Sequence, residues 1–450
     1  MQSASRFTTL SALALGIAGA LAFGQADASG FQLRESSVKN LGRANAGSAV
    51  SNGDASVVAL NPAAMAGLDR NTVQVDLTAI DLDADFTGGG QHLAGTPLAH
   101  AIQGGNGGDP GDVTLVPAFA AVFPVGDSGL TFGASVGAPF GLKTEYEDGW
   151  VGRYQALTSD VKVVDLTLSV SLESQDGYSI GAGIFYERAE AELSKALDFG
   201  TALCAGSGNP LNCVTPAFPF RPGQYDGSIN VSGDSTEFGF IMGAQVRPSE
   251  NLAIGLSHRT EVKHRLDGTV DFDTRGNPLL AAGFPDGPGG AQVTLPSITT
   301  LSVRFGVTDS ISILADYQQT GWDSLDTLEI RRANGDLVGS EDFQWDETDF
   351  FSIGAEFDLS DAFTLRAGVA QDESPTNAEH RSPRLPDDDR MLYSIGASWN
   401  VSDNFSIDAA YQHITIDDPT VNNVSDTGST LSGSFDGSAN LFGISAQYRF

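Results

Sequence analysis

The chain has 450 residues, a formal net charge of −33 and a hydrophobic content of 41%. So acidic a chain will not bind nucleic acid, or an anionic membrane surface, through net attraction. Its two cysteines, Cys204 and Cys213, are too few for a disulfide scaffold. Composition therefore argues against a nucleic-acid-binding protein and against a small disulfide-rich domain.

The first residues have the features of a secretory signal peptide. Arg6 lies in a short polar start, residues 10–23 are mostly apolar, and residues 26–28 (Ala-Asp-Ala) form a small-x-small cleavage pattern. The apolar stretch is shorter than the roughly 20 residues that a membrane-spanning helix needs. We predict that residues 1–28 are a signal peptide, cleaved between Ala28 and Ser29.

Apolar and polar residues alternate in many short segments along the rest of the chain. In the last segment, Phe442, Ile444, Ala446, Tyr448 and Phe450 share one face, and Gly443, Ser445, Gln447 and Arg449 share the other. Such a strand has a lipid face and a wet face, because a dry core would not accept unpaired charges and amides. A terminal strand that ends in phenylalanine resembles the signal recognised by the barrel assembly machinery, although soluble β-sandwiches also contain alternating strands.

The connections between these segments alternate between short turns and long loops. Short turns rich in Gly, Asp, Ser and Asn alternate with long loops in outer-membrane barrels, where they face the periplasm and the exterior. Pairing the segments predicts about fourteen strands, an even number as in bacterial single-chain barrels. They are expected to begin near Thr72, Val113, Leu130, Asp160, Tyr178, Ile229, Leu252, Thr294, Ile311, Asp342, Ala362, Arg390, Asn404 and Ser434. We therefore predict an all-β fold, a closed antiparallel transmembrane barrel over residues 71–450 in a Gram-negative outer membrane.

Residues 29–70 precede the first strand and lack sustained alternation. Asn61 and Pro62, followed by Ala63 and a stop at Gly67, predict one short helical turn with an asparagine cap. Local order of this kind favours a plug in the mouth of the barrel. The alternative is a disordered periplasmic tail.

Several motifs resemble the FadL family of outer-membrane transporters for long-chain fatty acids and other hydrophobic compounds. Residues 30–33 (Gly-Phe-Gln-Leu), 41–44 (Leu-Gly-Arg-Ala) and 61–63 (Asn-Pro-Ala) are similar to its N-terminal hatch. Residues 141–145 and 258–263 resemble its third and seventh strands, and Ser374-Pro375 and residues 385–390 resemble the stretch before its twelfth. The similarity covers essentially all of the mature chain, in order.

The resemblance implies a monomeric fourteen-stranded barrel with an N-terminal hatch, which takes up hydrophobic ligands passively. Such ligands bind an outer groove and then an inner pocket that the mature N-terminus closes. In this chain, the residue that matches the one closing the inner pocket is Phe31. The ligands then leave sideways through a gap made by a kink in the third strand. The partners implied are the ligand, outer-membrane lipids and lipopolysaccharide.

The third predicted strand contains Ala138, Pro139, Phe140 and Gly141. Proline cannot donate to the ladder and glycine weakens it, so this sequence predicts a broken ladder and a lateral opening. Phe140 is expected to line or close that opening. The alternative is that Pro139 merely ends the strand near a loop.

The inner pocket is where the chain departs from the family pattern. The family's fatty acid transporters hold the ligand carboxylate with an arginine in the fifth strand and a lysine after the ninth. Leu193 and Glu329 align with those positions, and a glutamate would repel a carboxylate. Lys195 and Arg331 lie two residues further on and are replacement candidates, and Ala191 aligns with a larger pocket residue. Long-chain fatty acids, the family's commonest ligands, remain the first expectation, and neutral or aromatic hydrocarbons are the alternative.

Other groups of residues have structural interpretations. The acids before Arg390, residues 387–389, favour an ion-pair network over a calcium site, since calcium-loop spacing is lacking. Arg259, Glu261, Lys263 and Arg265 are expected to form a network on one lumenal strand face. Cys204 and Cys213 are expected to form a local disulfide.

We predict no metal, no cofactor and no catalytic residue, hence no enzyme. An outer-membrane lipase or protease is disfavoured because no catalytic arrangement can be assigned. A general diffusion porin remains an alternative, and loop-mediated adhesion or phage reception remains a possible second role.

Overall fold

The computed structural model describes residues 30–425 and 427–450. The predicted signal peptide and its cleavage site lie outside the described residues. Within the described ranges, no helix is both long and apolar enough to cross a membrane.

Twenty strand segments form one antiparallel sheet. They are β1 (Thr72–His92), β2 (His100–Ala101), β3 (Thr114–Pro124), β4 (Leu130–Glu145), β5 (Thr158–Glu173), β6 (Tyr178–Asp198), β7 (Asp226–Ser249), β8 (Leu252–Arg259), β9 (Val262–Asp273), β10 (Gly287–Leu295), β11 (Ile298–Thr308), β12 (Ile311–Thr320), β13 (Thr327–Arg332), β14 (Leu337–Asp342), β15 (Thr348–Ser360), β16 (Phe363–Asp372), β17 (Arg390–Ser402), β18 (Phe405–Ile416), β19 (Thr420–Val424) and β20 (Thr430–Arg449).

These segments make a closed barrel of fourteen strands. Five barrel strands are each divided in two (β8 with β9, β10 with β11, β12 with β13, β14 with β15, and β18 with β19), and β2 is a short addition in a loop. The barrel closes where β1 pairs with β20, from Thr72 opposite Arg449 to Gln91 opposite Thr430. Closure pairs the first strand with the last, because an unpaired backbone group is costly in lipid. The predicted fold and strand number are confirmed.

The helices are short and lie in the N-terminal segment and the loops. They are α1 (Val38–Leu41), α2 (Val57–Leu60), α3 (Phe199–Gly206) and α4 (Pro278–Gly283), with 3-10 helices at Pro62–Gly67, Pro210–Cys213 and Trp322–Ser324. Cys204 in α3 is disulfide-bonded to Cys213. The bond closes a small loop above the wall of the barrel.

The two faces of β1 exchange their character along the strand. In its first half, Val75 and Leu77 point outward and are exposed, whereas Asp76 is buried inside. In its second half, Leu82 is buried inside and Asp83 is exposed outside. The first half therefore presents an apolar band to lipid, and the second half lines the extracellular part of the lumen with apolar side chains.

Residues 30–70 form a hatch that fills the lumen. Val38 at the start of α1 donates its backbone N–H to Asp76 at 2.9 Å. Arg43 is buried and donates to Glu356 at 2.5 Å. Gly368 allows the close approach, because a Cβ there would lie 2.2 Å from the carbonyl carbon of Arg43. The alternative of a disordered tail is wrong for these residues.

One prediction about strand faces is wrong. Arg259 is buried in the lumen, but Glu261, Lys263 and Arg265 are exposed on the outside. The seventh barrel strand is interrupted between Arg259 and Val262, and the interruption shifts the alternation by one residue. A shift of one residue moves every following side chain to the opposite face.

Candidate ligand-binding site

The wall of the barrel is interrupted between β3 and β4. Their ladder runs over six residue pairs, from Pro124 opposite Thr131 to Phe119 opposite Val136, and then ends. Beyond it, β4 still pairs with β5, but with a bulge between Gly137 and Phe140. The upper part of β4 therefore has a free edge on the side facing β3.

The bulge lies at Ala138 and Pro139, the residues that predicted a broken ladder. Proline has no N–H to give to a neighbouring strand, and bulges bend the strand that contains them. The strand itself continues to Glu145. The alternative that Pro139 ends the strand is therefore wrong.

The first described residues of the hatch cover this free edge of β4. Leu33 donates its backbone N–H to the carbonyl of Pro139 at 2.8 Å, and Gly141 donates to the carbonyl of Phe31 at 2.9 Å. Gln32 lies opposite Phe140 in an antiparallel bridge. The hatch thus completes the hydrogen bonding that the kink removes from the wall.

The side chain of Phe31 enters an aromatic group in the lumen, next to the kink. Its ring centroid lies 4.8 Å from Trp322, 5.8 Å from Trp345 and 6.0 Å from Phe140. These four rings and their aliphatic neighbours are called the inner aromatic cluster below. The buried neighbours are Leu142, Val163, Ala189, Leu266, Leu295, Leu325 and Leu385. A dry apolar site of this kind suits an apolar molecule, which gains roughly 0.8 kcal/mol for each buried CH₂.

Asp387 holds the hatch against this cluster. Its carboxylate accepts hydrogen bonds from the backbone N–H of Gly30 at 2.9 Å and from the hydroxyl of Ser374 at 2.6 Å. Arg390 is its ion-pair partner. Burial raises the pKa of Asp387, although Arg390 and Ser374 favour its charged form. Asp388 pairs with Arg381 at 2.7 Å, so two of the three acids have arginine partners.

A buried network of charges lies below the cluster. Arg259 donates to Asp165 at 2.6 Å and also pairs with Glu187, while His264 lies 2.9 Å from Glu187. Asp165 and Arg259 line, with Pro139, a cavity of about 100 Å³ beside the kink. An apolar molecule offers such groups no hydrogen bond, so it gains nothing by moving further along the barrel axis.

The candidate residues for holding a ligand carboxylate, called the clamp residues below, fall into two groups. Ala191 packs against the inner aromatic cluster, and Leu193 and Lys195 follow it on the same inward face of β6. Glu329 and Arg331 pair with each other at 2.9 Å and are 48% and 46% exposed on the opposite face from buried Ile330. Placing these two in the pocket was therefore wrong, because the 3-10 helix before β13 breaks the strand across which the alignment was made.

The helical turn predicted after Asn61 is present as the 3-10 helix Pro62–Gly67. Asn61 caps it by accepting from the backbone N–H of Ala63 at 3.1 Å. The structure does not bring these residues to the inner aromatic cluster. They pack instead against Gly181 and Gly243, which lie towards the short turns of their strands. Asn61, Pro62 and Ala63 therefore anchor the hatch to the wall of the barrel.

Sequence reasoning missed two of the four rings. Trp322 continues the inward face of β12 beyond Thr320, so alternation along β12 indicates its direction. Trp345 lies in the connection between β14 and β15, where no periodicity indicates a direction. Leu385, in the loop before β17, was likewise not identified as a wall of the pocket.

Glu35 gives the hatch a predicted pH dependence. Burial raises its pKa from 4.5 to about 7, against the lowering effects of nearby Arg34 and Arg390. The pKa of Glu35 is higher in the docked hatch than in an exposed one, so ionisation of Glu35 opposes docking of the hatch in the lumen. Docking of the hatch therefore becomes less favourable as the pH rises from 4.5 to 7, and it stays less favourable above pH 7. The full cost is on the order of 1–3 kcal/mol.

We expect Glu35→Gln to remove this dependence while keeping the acceptor oxygen. The measurement is hydrogen exchange of hatch amides at pH 5 and pH 8, corrected for intrinsic exchange rates. Wild-type protection should be lower at pH 8 than at pH 5, and the variant should show a smaller difference between the two pH values. Equal pH dependence in the two proteins would contradict the assignment to Glu35.

Comparison with known proteins places the chain in a family. The family model described as "Outer membrane protein transport protein (OMPP1/FadL/TodX)" matches residues 19–450. The chain belongs to this family. FadL-family proteins of this kind are outer-membrane transporters of hydrophobic compounds in Gram-negative bacteria.

Relatives of this FadL-family chain match along nearly their full lengths. Outer membrane protein P1 of Haemophilus influenzae is 31% identical over 96% of this chain and 97% of its own. The long-chain fatty acid transport protein of Escherichia coli is 28% identical over 91% of this chain and 93% of its own.

Solved structures agree with the fold. The crystal structure of a Pseudomonas aeruginosa FadL homologue superposes with a TM-score of 0.84 at 26% identity, over 93% of this chain and 99% of that one. The toluene transporter TodX of Pseudomonas putida, 15% identical over 91% of this chain and 97% of that one, has a TM-score of 0.65 and supports the fold alone.

Proposed function

We propose that this chain carries long-chain fatty acids passively into the outer membrane, with lateral exit between β3 and β4. The single observation that carries the proposal is the broken wall: the β3–β4 ladder ends at Val136, beside a buried apolar cluster. The Escherichia coli relative named a long-chain fatty acid transport protein supports the choice of ligand.

The direction of exit follows from what lies below the cluster. The axial path is filled by the hatch and by buried ion pairs such as Arg43 with Glu356 and Arg259 with Asp165. Opening that path would leave paired charges without partners, which costs several kcal/mol in a buried site. A sideways path past the kink leads into lipid and leaves these buried ion pairs intact.

Closure of the pocket and closure of the wall depend on the same residues. Phe31 fills the inner aromatic cluster, and its carbonyl accepts from Gly141 on the free edge of β4. A ligand that displaces Phe31 therefore also removes the backbone cover from that edge. Binding and opening are linked in this way without any external energy source.

A second candidate is transport of neutral or aromatic hydrocarbons on the same fold. It is favoured by the aligned clamp positions, where Leu193 is apolar and Glu329 faces outward. Arg259 lies 6.0 Å from the ring centre of Phe140, but it is already paired with Asp165 and Glu187.

Uptake and co-purification together test the proposal. Cells that lack their own fatty acid transporter and express this chain should take up labelled oleic acid faster than vector controls. The matched control is Arg331→Ala, on the outward face, which should transport as well as the wild type. Mass spectrometry of the purified protein should find free fatty acids. Neutral hydrocarbons alone would favour the second candidate, and a large steady ionic current would favour a porin.

A further inference from the structure

Trp322 carries a buried hydrogen-bond donor without a partner. The side chain is 0% exposed, and its Nε1 has no hydrogen-bond partner among the described residues. Fifteen other buried side-chain atoms of the described residues also lack partners, and six of them are hydroxyls that can reorient. An indole N–H is donor only and its hydrogen is fixed in the ring plane. A buried donor of this kind requires an explanation, because native proteins leave few of them unsatisfied.

The N–H edge of Trp322 lies beside the first residues of the hatch. A Cβ built on Gly30 would lie 2.9 Å from Cζ2 and 3.0 Å from Cε2 of the indole. Since Nε1 is bonded to Cε2, the donor is next to Gly30. Phe31 covers the same indole, with ring centroids 4.8 Å apart. When these hatch residues move away, the space beside the donor becomes part of the pocket.

The rings packed against this donor are apolar, and the buried charges beside Gly30, Asp387 and Arg390, are paired with each other. Trp345 packs edge-on against the indole at 5.1 Å. Arg384 precedes Leu385 of the cluster, but it donates to Glu341 at 3.1 Å and to Ser159 at 3.2 Å. A single uncharged donor in an apolar site matches a single oxygen acceptor at the end of an apolar chain.

We propose that Trp322 holds the polar head of the transported molecule by donating from Nε1 to one oxygen atom of that head. The acceptor needs no charge, so esters and alcohols bind as well as acids do, and chains without oxygen bind less tightly. This inference rests on the proposed function, because it requires a hydrophobic ligand in the place of Phe31. It adds a substrate class: apolar chains with one terminal hydrogen-bond acceptor.

The test compares Trp322→Phe with the matched variant Trp345→Phe. Both replace an indole of the same cluster by a phenyl ring, but only the first removes a fully buried donor without a partner. The probes are oleic acid, methyl oleate and 1-octadecene, which share a chain of similar length. Trp322→Phe should weaken binding of the first two by roughly 2- to 10-fold, the range of one neutral hydrogen bond, and leave 1-octadecene unchanged. Trp345→Phe should change all three by the same factor.

The outcomes separate this inference from the proposed function. Wild-type protein that binds none of the probes overturns both. Equal weakening of all three by Trp322→Phe, or no weakening, overturns the role of Trp322 while transport stands. If the variant does not fold, NMR of the indole N–H groups in ¹⁵N-tryptophan-labelled wild type tests the same contact. The Trp322 signal is assigned by replacing the other three tryptophans in turn. The Trp322 signal should move with methyl oleate and not with 1-octadecene, and equal shifts would overturn the inference.

Discussion

Gly137→Leu is expected to stop uptake while the barrel still assembles. A Cβ on Gly137 would meet only Ala118 of β3, at 3.9 Å, so a side chain fits there and extends into the cavity beside the kink. A ligand passing the filled gap has to displace packed groups, which costs about 1–3 kcal/mol and slows passage on the order of tenfold or more. Adding Ala138→Phe should deepen the loss.

Uptake of labelled oleic acid is the measurement, and heat-modifiable mobility on gels reports assembly. The matched control is Gly89→Leu, also in a strand, where a Cβ would meet nothing within 4 Å. That variant should take up ligand at the wild-type rate. Normal uptake by an assembled Gly137→Leu barrel would show that ligands do not leave through this part of the wall.

Phe31→Ala is expected to tighten binding of hydrophobic ligands. Phe31 is 6% exposed and fills the inner aromatic cluster, so a ligand in the wild type must first displace the ring. Removing the buried phenyl group lowers the stability of the docked hatch by about 3–5 kcal/mol at most. The apparent ligand affinity of the wild type is lowered because most molecules are closed, so destabilising the closed state raises that affinity. The gain in affinity should be roughly tenfold to hundredfold.

Direct binding of a fluorescent fatty acid to purified protein measures this effect. The control is Leu33→Ala, which removes a similar apolar area from a different buried cluster, the one around Leu41 and Ile80. That variant should loosen the hatch but leave the phenyl ring in the pocket, so its affinity gain should be much smaller. Weaker binding in Phe31→Ala would mean that the ring is part of the ligand's wall and not its competitor.

The interrupted strands show where sequence reasoning fails. Arg259 and Lys263 share a face if the strand is continuous, yet the interruption at residues 260–261 separates them. Glu329 lies beyond the 3-10 helix Trp322–Ser324, so alternation could not be carried across to it from β12. In both cases the error comes from an irregularity that local periodicity does not encode, because the direction of each side chain depends on every residue before it in the strand.

The sequence by itself determined the barrel, its strand number and the place of the kink. These follow from alternation with a period of two, from turn residues and from a proline without an N–H, all of which act between neighbours in the chain. Only the tertiary structure decided what the kink faces. Phe31, Phe140, Trp322 and Trp345 come from the hatch, from β4 and from two connections between strands, and they meet because closure of the barrel surrounds one lumen. The same closure leaves the Nε1 donor of Trp322 beside the hatch, since no local rule specifies which side chain will be its neighbour.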